Sequence, residues 1–153
     1  YEFEFFTNGL PGDVKLGQRV LKRLKLDDSY LVERPVDDRV LVDTINHYQA
    51  IITCRMHSSI AAFTMNVPSV ILSWNDKVEY LMDIIGYPER AIKQRDFSPE
   101  FIVDAMERAL AEGIDPVKLE AMKTKAQESV DDYLELIFNA QHRTQPELPG
   151  VSR

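Results

Sequence analysis

Apolar residues along the chain follow two spacings, one typical of short strands and one typical of helices. Residues 1–6 alternate between polar and apolar in the manner of a strand. The next segment is rich in turn formers, and Asp13 is predicted to cap the helix that follows. In that helix, over residues 14–25, Val14, Val20 and Leu21 lie on one face, with basic residues opposite. A second strand is predicted over residues 30–33.

The same alternation continues through the rest of the chain. Helical spacing follows Pro35, then come a β-branched strand over residues 50–53, a helix from Ser58 to about residue 65 and a strand over residues 68–72. A short helix over residues 76–85 ends at Gly86, and a brief strand is predicted over residues 91–93. Two further helices, residues 98–112 and 115–141, each begin with a cap residue followed by proline.

This order of elements predicts an α/β fold. Strand and helix alternate at least four times, which indicates a Rossmann-like parallel sheet with right-handed crossovers and helices on both faces. We expect one such domain over residues 1–143 and a flexible tail over residues 144–153, which holds two prolines and a glycine without periodicity. Because the chain opens abruptly on a strand-like segment, we also expect it to be part of a longer protein.

Charge and composition narrow the classes of function. The 153 residues carry 18 basic and 25 acidic side chains, a net charge of −7 that argues against general binding to nucleic acid. No apolar run approaches the roughly 20 residues of a transmembrane segment. The single cysteine, Cys54, favours a reducing compartment such as the cytoplasm, and it has no neighbour at metal-ligand spacing, so no metal site is predicted.

The segment 51–62 carries the candidate chemistry. There a buried-type strand enters a turn that holds Arg55 and His57, and a helix follows. Ligands of open α/β sheets bind at the carboxyl ends of strands, where a helix N-terminus offers unpaired N–H groups to an anion. Arg55 adds a planar fork of donors, and His57 adds a group that exchanges protons near neutral pH. The sequence therefore predicts an anion site with a proton-transfer group beside it.

Each of these residues also has a purely structural interpretation. Arg55 can pair with an acidic neighbour, and His57 can cap the following helix. Ser58 and Ser59 are interpreted first as N-caps, with contact to a phosphate as a second role for Ser58. Lys77 either neutralises an anion or faces water. Trp74 either lines a sugar site or covers the core.

Residues 51–86 resemble the polysaccharide pyruvyl transferase family. The resemblance rests on the Arg55-Met56-His57 turn, on Pro68 at the start of the next strand, on the segment 73–77 and on Gly86. It implies a two-domain protein similar to GT-B glycosyltransferases, of which this chain is the C-terminal half and the N-terminal domain is missing. The isolated chain is then expected to be inactive.

The resemblance also implies a reaction. Enzymes of this family move pyruvate from phosphoenolpyruvate onto two sugar hydroxyls as a ketal and release phosphate. By resemblance, His57 is the catalytic residue, and Arg55, Ser58 and Lys77 contact the donor. The implied partners are phosphoenolpyruvate and a saccharide or lipid-linked glycan acceptor, with no further cofactor.

Two other functions remain open. A GT-B glycosyltransferase or sugar-nucleotide epimerase domain would bind a nucleotide diphosphate at the same helix N-terminus, with Asp76 or Glu79 near the ribose. A non-catalytic docking module would use the acidic surface and the long C-terminal helix.

Overall fold

The computed structural model describes the backbone of residues 1–143 and the side chains of residues 1–140. The tail predicted over residues 144–153 lies outside the described residues. The chain forms two compact units, Tyr1–Ile114 and a unit that begins at Asp115. The first unit holds all the strands of the described chain, and the second holds one long helix.

Three parallel strands form the sheet, in the order β1 (Ile51–Thr53), β2 (Ser69–Ser73) and β3 (Ala91–Lys93). Ile52 pairs with Val70, and Leu72 pairs with Ile92. Helices connect these parallel neighbours, as such crossovers require. The mixed α/β, Rossmann-like class predicted from the sequence is confirmed.

Six α-helices accompany the sheet in the described chain: α1 (Pro11–Leu24), α2 (Asp38–His47), α3 (Met56–Thr64), α4 (Asp76–Ile84), α5 (Pro99–Glu112) and α6 (Pro116–Arg143). Their ends follow the predicted signals in several places. The Ser98 hydroxyl accepts a hydrogen bond from the Phe101 N–H at 3.2 Å, which caps α5. Asn66 and Gly86 adopt left-handed φ angles of 60° and 81° just after α3 and α4. None of the helices in the described part of the chain is long and apolar enough to cross a membrane.

The first two predicted strands, residues 1–6 and 30–33, do not form a ladder, so the prediction that they belong to the parallel sheet was wrong. Phe5 and Leu31 share a single parallel bridge. The reason lies in the Asp27 carboxylate, which accepts a hydrogen bond from the Ser29 N–H at 2.8 Å and draws residues 28–30 into a 3-10 turn. Tyr30 is thereby removed from the predicted strand, and Leu31 is the residue that bridges to Phe5.

Apolar side chains pack on both faces of the sheet. On one face Ile51 joins buried residues of α2 and α3, among them Ile45 and Ala62. On the other face Val70 and Ile92 pack against α5. The strand register explains this division, because Val70 pairs with Ile52 and so lies opposite to the face that carries Ile51. The carboxyl ends of the strands are thereby held at one edge between two packed helical layers.

Candidate functional site

Arg55 lies where β1 ends and α3 begins. It is the N-cap residue of α3 and has extended backbone angles, and its N–H donates to Thr53 Oγ1 at 3.0 Å. Its side chain is 44% exposed. The structure therefore places this guanidinium at the carboxyl edge of the sheet, on the protein surface.

The N-terminus of α3 differs from the sequence prediction. The helix begins at Met56, so Ser58 and Ser59 lie inside its first turns and do not cap it. The Ser58 hydroxyl donates to Asn8 Oδ1 at 2.6 Å, and Ser59 Oγ lies 2.9 Å from Ser69 Oγ in the core. The prediction that these serines are N-caps was wrong, because the helix starts directly after the short strand. Among the described residues no side chain caps α3, and its first N–H groups have no partner within the helix.

His57 is the second residue of α3, and its side chain is exposed. It makes no hydrogen bond or ion pair with any residue that the structure describes. Arg55 and His57 are thus two positions apart at an open helix N-terminus. This arrangement can hold an anion and exchange a proton with it.

Asp13 is a part of the site that sequence reasoning assigned to another role. Its Oδ1 accepts a hydrogen bond from Arg55 Nη2 at 2.5 Å. The predicted N-cap role was wrong, because Leu10 is the N-cap residue of α1 and Asp13 lies within the first turn. The helix starts earlier than predicted since Pro11 fits its first position. Within the described chain, Nε and Nη1 of Arg55 have no partner and can meet a ligand.

The loop after β2 lies against the loop after β1. Trp74 Nε1 donates to the Cys54 carbonyl at 3.0 Å, which joins the two loops next to Arg55. The indole is 66% exposed and so does not cover the core. Lys77, the second residue of α4, is exposed and has no ion-pair partner among the described residues.

A further polar cluster lies where β2 and β3 end. Glu79 Oε2 is 2.7 Å from Lys93 Nζ, and Glu79 Oε1 accepts a hydrogen bond from Ser73 Oγ at 3.2 Å. The hydrogen bond from Lys93 lowers the pKa of Glu79 below its usual value. Sequence reasoning considered Glu79 without these partners. The signal that could have found them is that Lys93 ends one predicted strand and Ser73 directly follows another.

A cavity of about 330 Å³ adjoins this edge. Its lining includes Asn8, Gly9, Arg34 and Asp37. Asn8 is the residue that accepts the hydrogen bond from Ser58, so the cavity lies beside the first turn of α3. Neither Arg55 nor His57 lines this cavity or the one of about 420 Å³ between β3 and α5. Both residues lie on the open surface.

Comparison with known proteins connects this site to a family. The chain matches no curated protein and no solved structure significantly. The model of the polysaccharide pyruvyl transferase family matches residues 5–76. The matched segment contains Asp13, Arg55, His57 and Ser58, and it ends just before Lys77. Residues 5–76, slightly less than half of the chain, are therefore similar to the polysaccharide pyruvyl transferase family, a family of transferases.

Proposed function

We propose that this chain holds the phosphoenolpyruvate site of an enzyme that moves pyruvate onto two sugar hydroxyls as a cyclic ketal. The observation that carries the proposal is the exposed pair of Arg55 and His57 at the uncapped N-terminus of α3, inside the segment that matches the family. A compact dianion with a carboxylate and a phosphate fits a guanidinium beside free N–H groups.

The donor contacts divide between side chains and backbone. Arg55 binds the carboxylate or the phosphate through the nitrogens that Asp13 leaves free. Ser58 is 1% exposed and its hydroxyl is bonded to Asn8, so the backbone contacts of the donor come from the N–H groups that precede it at the start of α3. Lys77, from the neighbouring loop, neutralises charge on the departing phosphate.

His57 moves the protons of the reaction. A sugar hydroxyl attacks C2 of phosphoenolpyruvate while its proton is transferred and C3 gains one, which gives a tetrahedral adduct. The bond between C2 and the phosphate oxygen then breaks, and the second hydroxyl closes the ketal as its proton passes to the medium or to phosphate. No atom is oxidised or reduced overall, so the chemistry needs no redox cofactor. An imidazole positioned for such proton transfers increases the reaction rate by roughly 10²–10⁴-fold.

The acceptor is a saccharide, free or lipid-linked, and we propose that it binds between this chain and a further N-terminal domain, as in GT-B enzymes. The parallel sheet with its site at the open carboxyl edge supports that placement. On this proposal the full protein works in the cytoplasm and the chain alone does not turn over.

A docking role has one observation in its favour. α6 exposes a stripe of apolar side chains at helical spacing: Val130, Tyr133, Leu134, Ile137 and Phe138. A nucleotide-binding role is less well supported, because both oxygens of the ribose candidate Glu79 already have partners in Lys93 and Ser73.

Steady-state phosphate release by the full-length enzyme, measured against phosphoenolpyruvate concentration, tests the proposal. His57→Ala should lower kcat by roughly 10²–10⁴-fold with little change in KM. Arg55→Ala should raise KM by about 10–100-fold, because a hydrogen bond to a charged group contributes about 1.5–3 kcal/mol. Lys77→Ala should give a smaller defect of the same kind.

Matched controls are available on the same chain. His47→Ala removes another exposed histidine, at the end of α2, and should leave kcat unchanged. Arg19→Ala removes an exposed arginine of α1 and should leave KM unchanged. Near-normal turnover in His57→Ala would overturn the proton-transfer role and leave only an anion site.

A further inference from the structure

We propose that Trp74 is the platform on which a pyranose ring of the saccharide acceptor stacks, an inference that rests on the pyruvyl transfer proposed above. The indole lies close to Arg55, because its N–H donates to the carbonyl of the preceding residue, Cys54. It lies in the short loop between β2 and α4.

The exposure of Trp74 calls for a physical reason. Tryptophan is a large residue that usually buries most of its surface, yet 66% of this one remains open. Its hydrogen bond to Cys54 satisfies the indole N–H and leaves apolar ring surface uncovered. Such a ring does little for the core and is available to a ligand.

Three hydrogen bonds fix the loop that carries the ring. Trp74 Nε1 donates to the Cys54 carbonyl at 3.0 Å, and Ser73 Oγ donates to the Asn75 carbonyl at 3.2 Å. Asn75 Oδ1 accepts from the Val78 N–H at 3.2 Å and caps α4. A ring that is fixed before binding loses little conformational entropy on contact with a ligand. The loop is therefore pre-organised.

The surroundings fit a neutral sugar better than a nucleotide. A pyranose has an apolar face of C–H groups, which matches a flat indole, and a polar rim of hydroxyls. The Lys93 ammonium, which is 47% exposed and paired with Glu79 beside Ser73, offers a charged donor to such hydroxyls. A hexopyranoside is thus the class of ligand we assign to this platform.

The sequence provides a direct probe, because Trp74 is the only tryptophan in the chain. The 153-residue protein should show one indole N–H resonance in its NMR spectrum. Titration with methyl β-glucopyranoside or methyl β-galactopyranoside should shift that resonance saturably, with a Kd of about 1–10 mM, as for ligands with so few atoms. Uridine monophosphate should not shift it comparably.

Variants separate the ring from general effects on the surface. In saturation-transfer experiments on the glycoside, Trp74→Ala should weaken binding by about tenfold or more, and Trp74→Phe should retain part of it. Tyr80→Ala is the matched control, since Tyr80 is an equally exposed aromatic residue, at 67%, on α4, the helix that follows the Trp74 loop. It should bind the glycoside like the wild type.

The outcomes also separate this inference from the proposed function. If phosphoenolpyruvate stabilises the protein but no glycoside shifts the indole resonance, or if Trp74→Ala binds normally, the platform is wrong and the donor site stands. If uridine monophosphate alone shifts the resonance, a nucleotide replaces the sugar as the ligand. If the glycoside binds through Trp74 and phosphoenolpyruvate does not bind, the donor assignment fails and the sugar contact stands.

Discussion

The guanidinium of Arg55 is bonded to Asp13, which lies 42 residues earlier in the chain. The pair is partly exposed, at 44% for Arg55 and 22% for Asp13, so solvent screens it and its contribution to stability is small. The pair also affects how a ligand would bind. The carboxylate orients the guanidinium, and it also places a negative charge beside the proposed anion site.

We expect Asp13→Asn to tighten binding of inorganic phosphate or phosphoenolpyruvate by up to about fivefold, since removing the charge relieves about 1 kcal/mol of repulsion. Isothermal titration at two salt concentrations checks this, and the gain should shrink at higher salt. Asp83→Asn changes an exposed aspartate of α4 and serves as the control. Weaker binding in Asp13→Asn would show instead that Arg55 needs the charge to be positioned.

The Glu79–Lys93 pair predicts a pH dependence of stability. The hydrogen bond from Lys93 lowers the pKa of Glu79 in the folded protein below the ordinary value of 4.5. A lowered folded pKa means that the stabilisation is present above pH 4.5 and is lost as the pH falls through the folded pKa. Wild type should therefore melt at a higher Tm than Glu79→Gln at pH 7, and the difference should disappear in acid.

Thermal melts across this range provide the measurement. The control is Glu128→Gln, which removes an exposed carboxylate of α6 without a described partner and should match wild type throughout. A difference between wild type and Glu79→Gln that persisted in acid would exclude the ion pair as its cause.

At the scale of elements, one buried arginine connects β3 to α5. Arg90 is 2% exposed and ends the 3-10 turn Pro88–Arg90 that leads into β3. Its Nη2 donates to the Gly113 carbonyl at 2.7 Å and to Glu112 Oε2 at 3.2 Å, so it satisfies the C-terminal end of α5. Its guanidinium carbon lies 4.0 Å from the centre of the Tyr87 ring. Sequence reasoning passed over this residue because its partners lie 22 and 23 positions away.

Arg90→Ala should lower the free energy of unfolding by about 2–4 kcal/mol, because it removes charged hydrogen bonds and leaves a space beside Tyr87. Arg108→Ala is the matched control. Arg108 pairs with Asp104 on the exposed face of α5. Removing the Arg108 side chain should lower the free energy of unfolding by less than about 1 kcal/mol. Urea denaturation of both variants is the measurement, and equal effects would contradict the role assigned to Arg90.

At the scale of the whole molecule, a chain with a net charge of −7 is proposed to hold a dianion. The fold makes this feasible by placing cationic side chains after successive strands, with Arg55 after β1, Lys77 after β2 and Lys93 at the end of β3. An anion is then attracted to the carboxyl edge of the sheet. The surface as a whole does not attract polyanions, because its net charge is negative.

Phosphoenolpyruvate at 100 times its Kd should stabilise the native protein by about 2.7 kcal/mol, which corresponds to a rise in Tm of roughly 5–10 °C for a chain of this size. A uridine sugar nucleotide at the same ionic strength should give a much smaller rise. Arg55→Ala should remove about half of the effect or more at the same donor concentration. A larger shift with the nucleotide would favour the glycosyltransferase alternative.

The sequence by itself determined what depends on neighbours along the chain. Apolar spacing, proline positions and left-handed ends located all six helices of the described chain and all three strands of its sheet. They also placed Arg55 and His57 where a strand leads into a helix. These features depend on residues a few positions apart. The period of a helix or a strand decides which of these residues lie on the same face.

Only the tertiary structure decided which distant residues meet. It reduced the first two predicted strands to one bridge, moved the start of α3 ahead of Ser58 and paired Asp13 with Arg55. It also bonded Trp74 to Cys54 and Glu79 to Lys93. These contacts follow from strand register and from how helices cross the sheet, which bring together residues 14 to 42 positions apart. Periodicity within one element contains no information about that pairing, because it fixes which face is apolar and not which residue lies across from it.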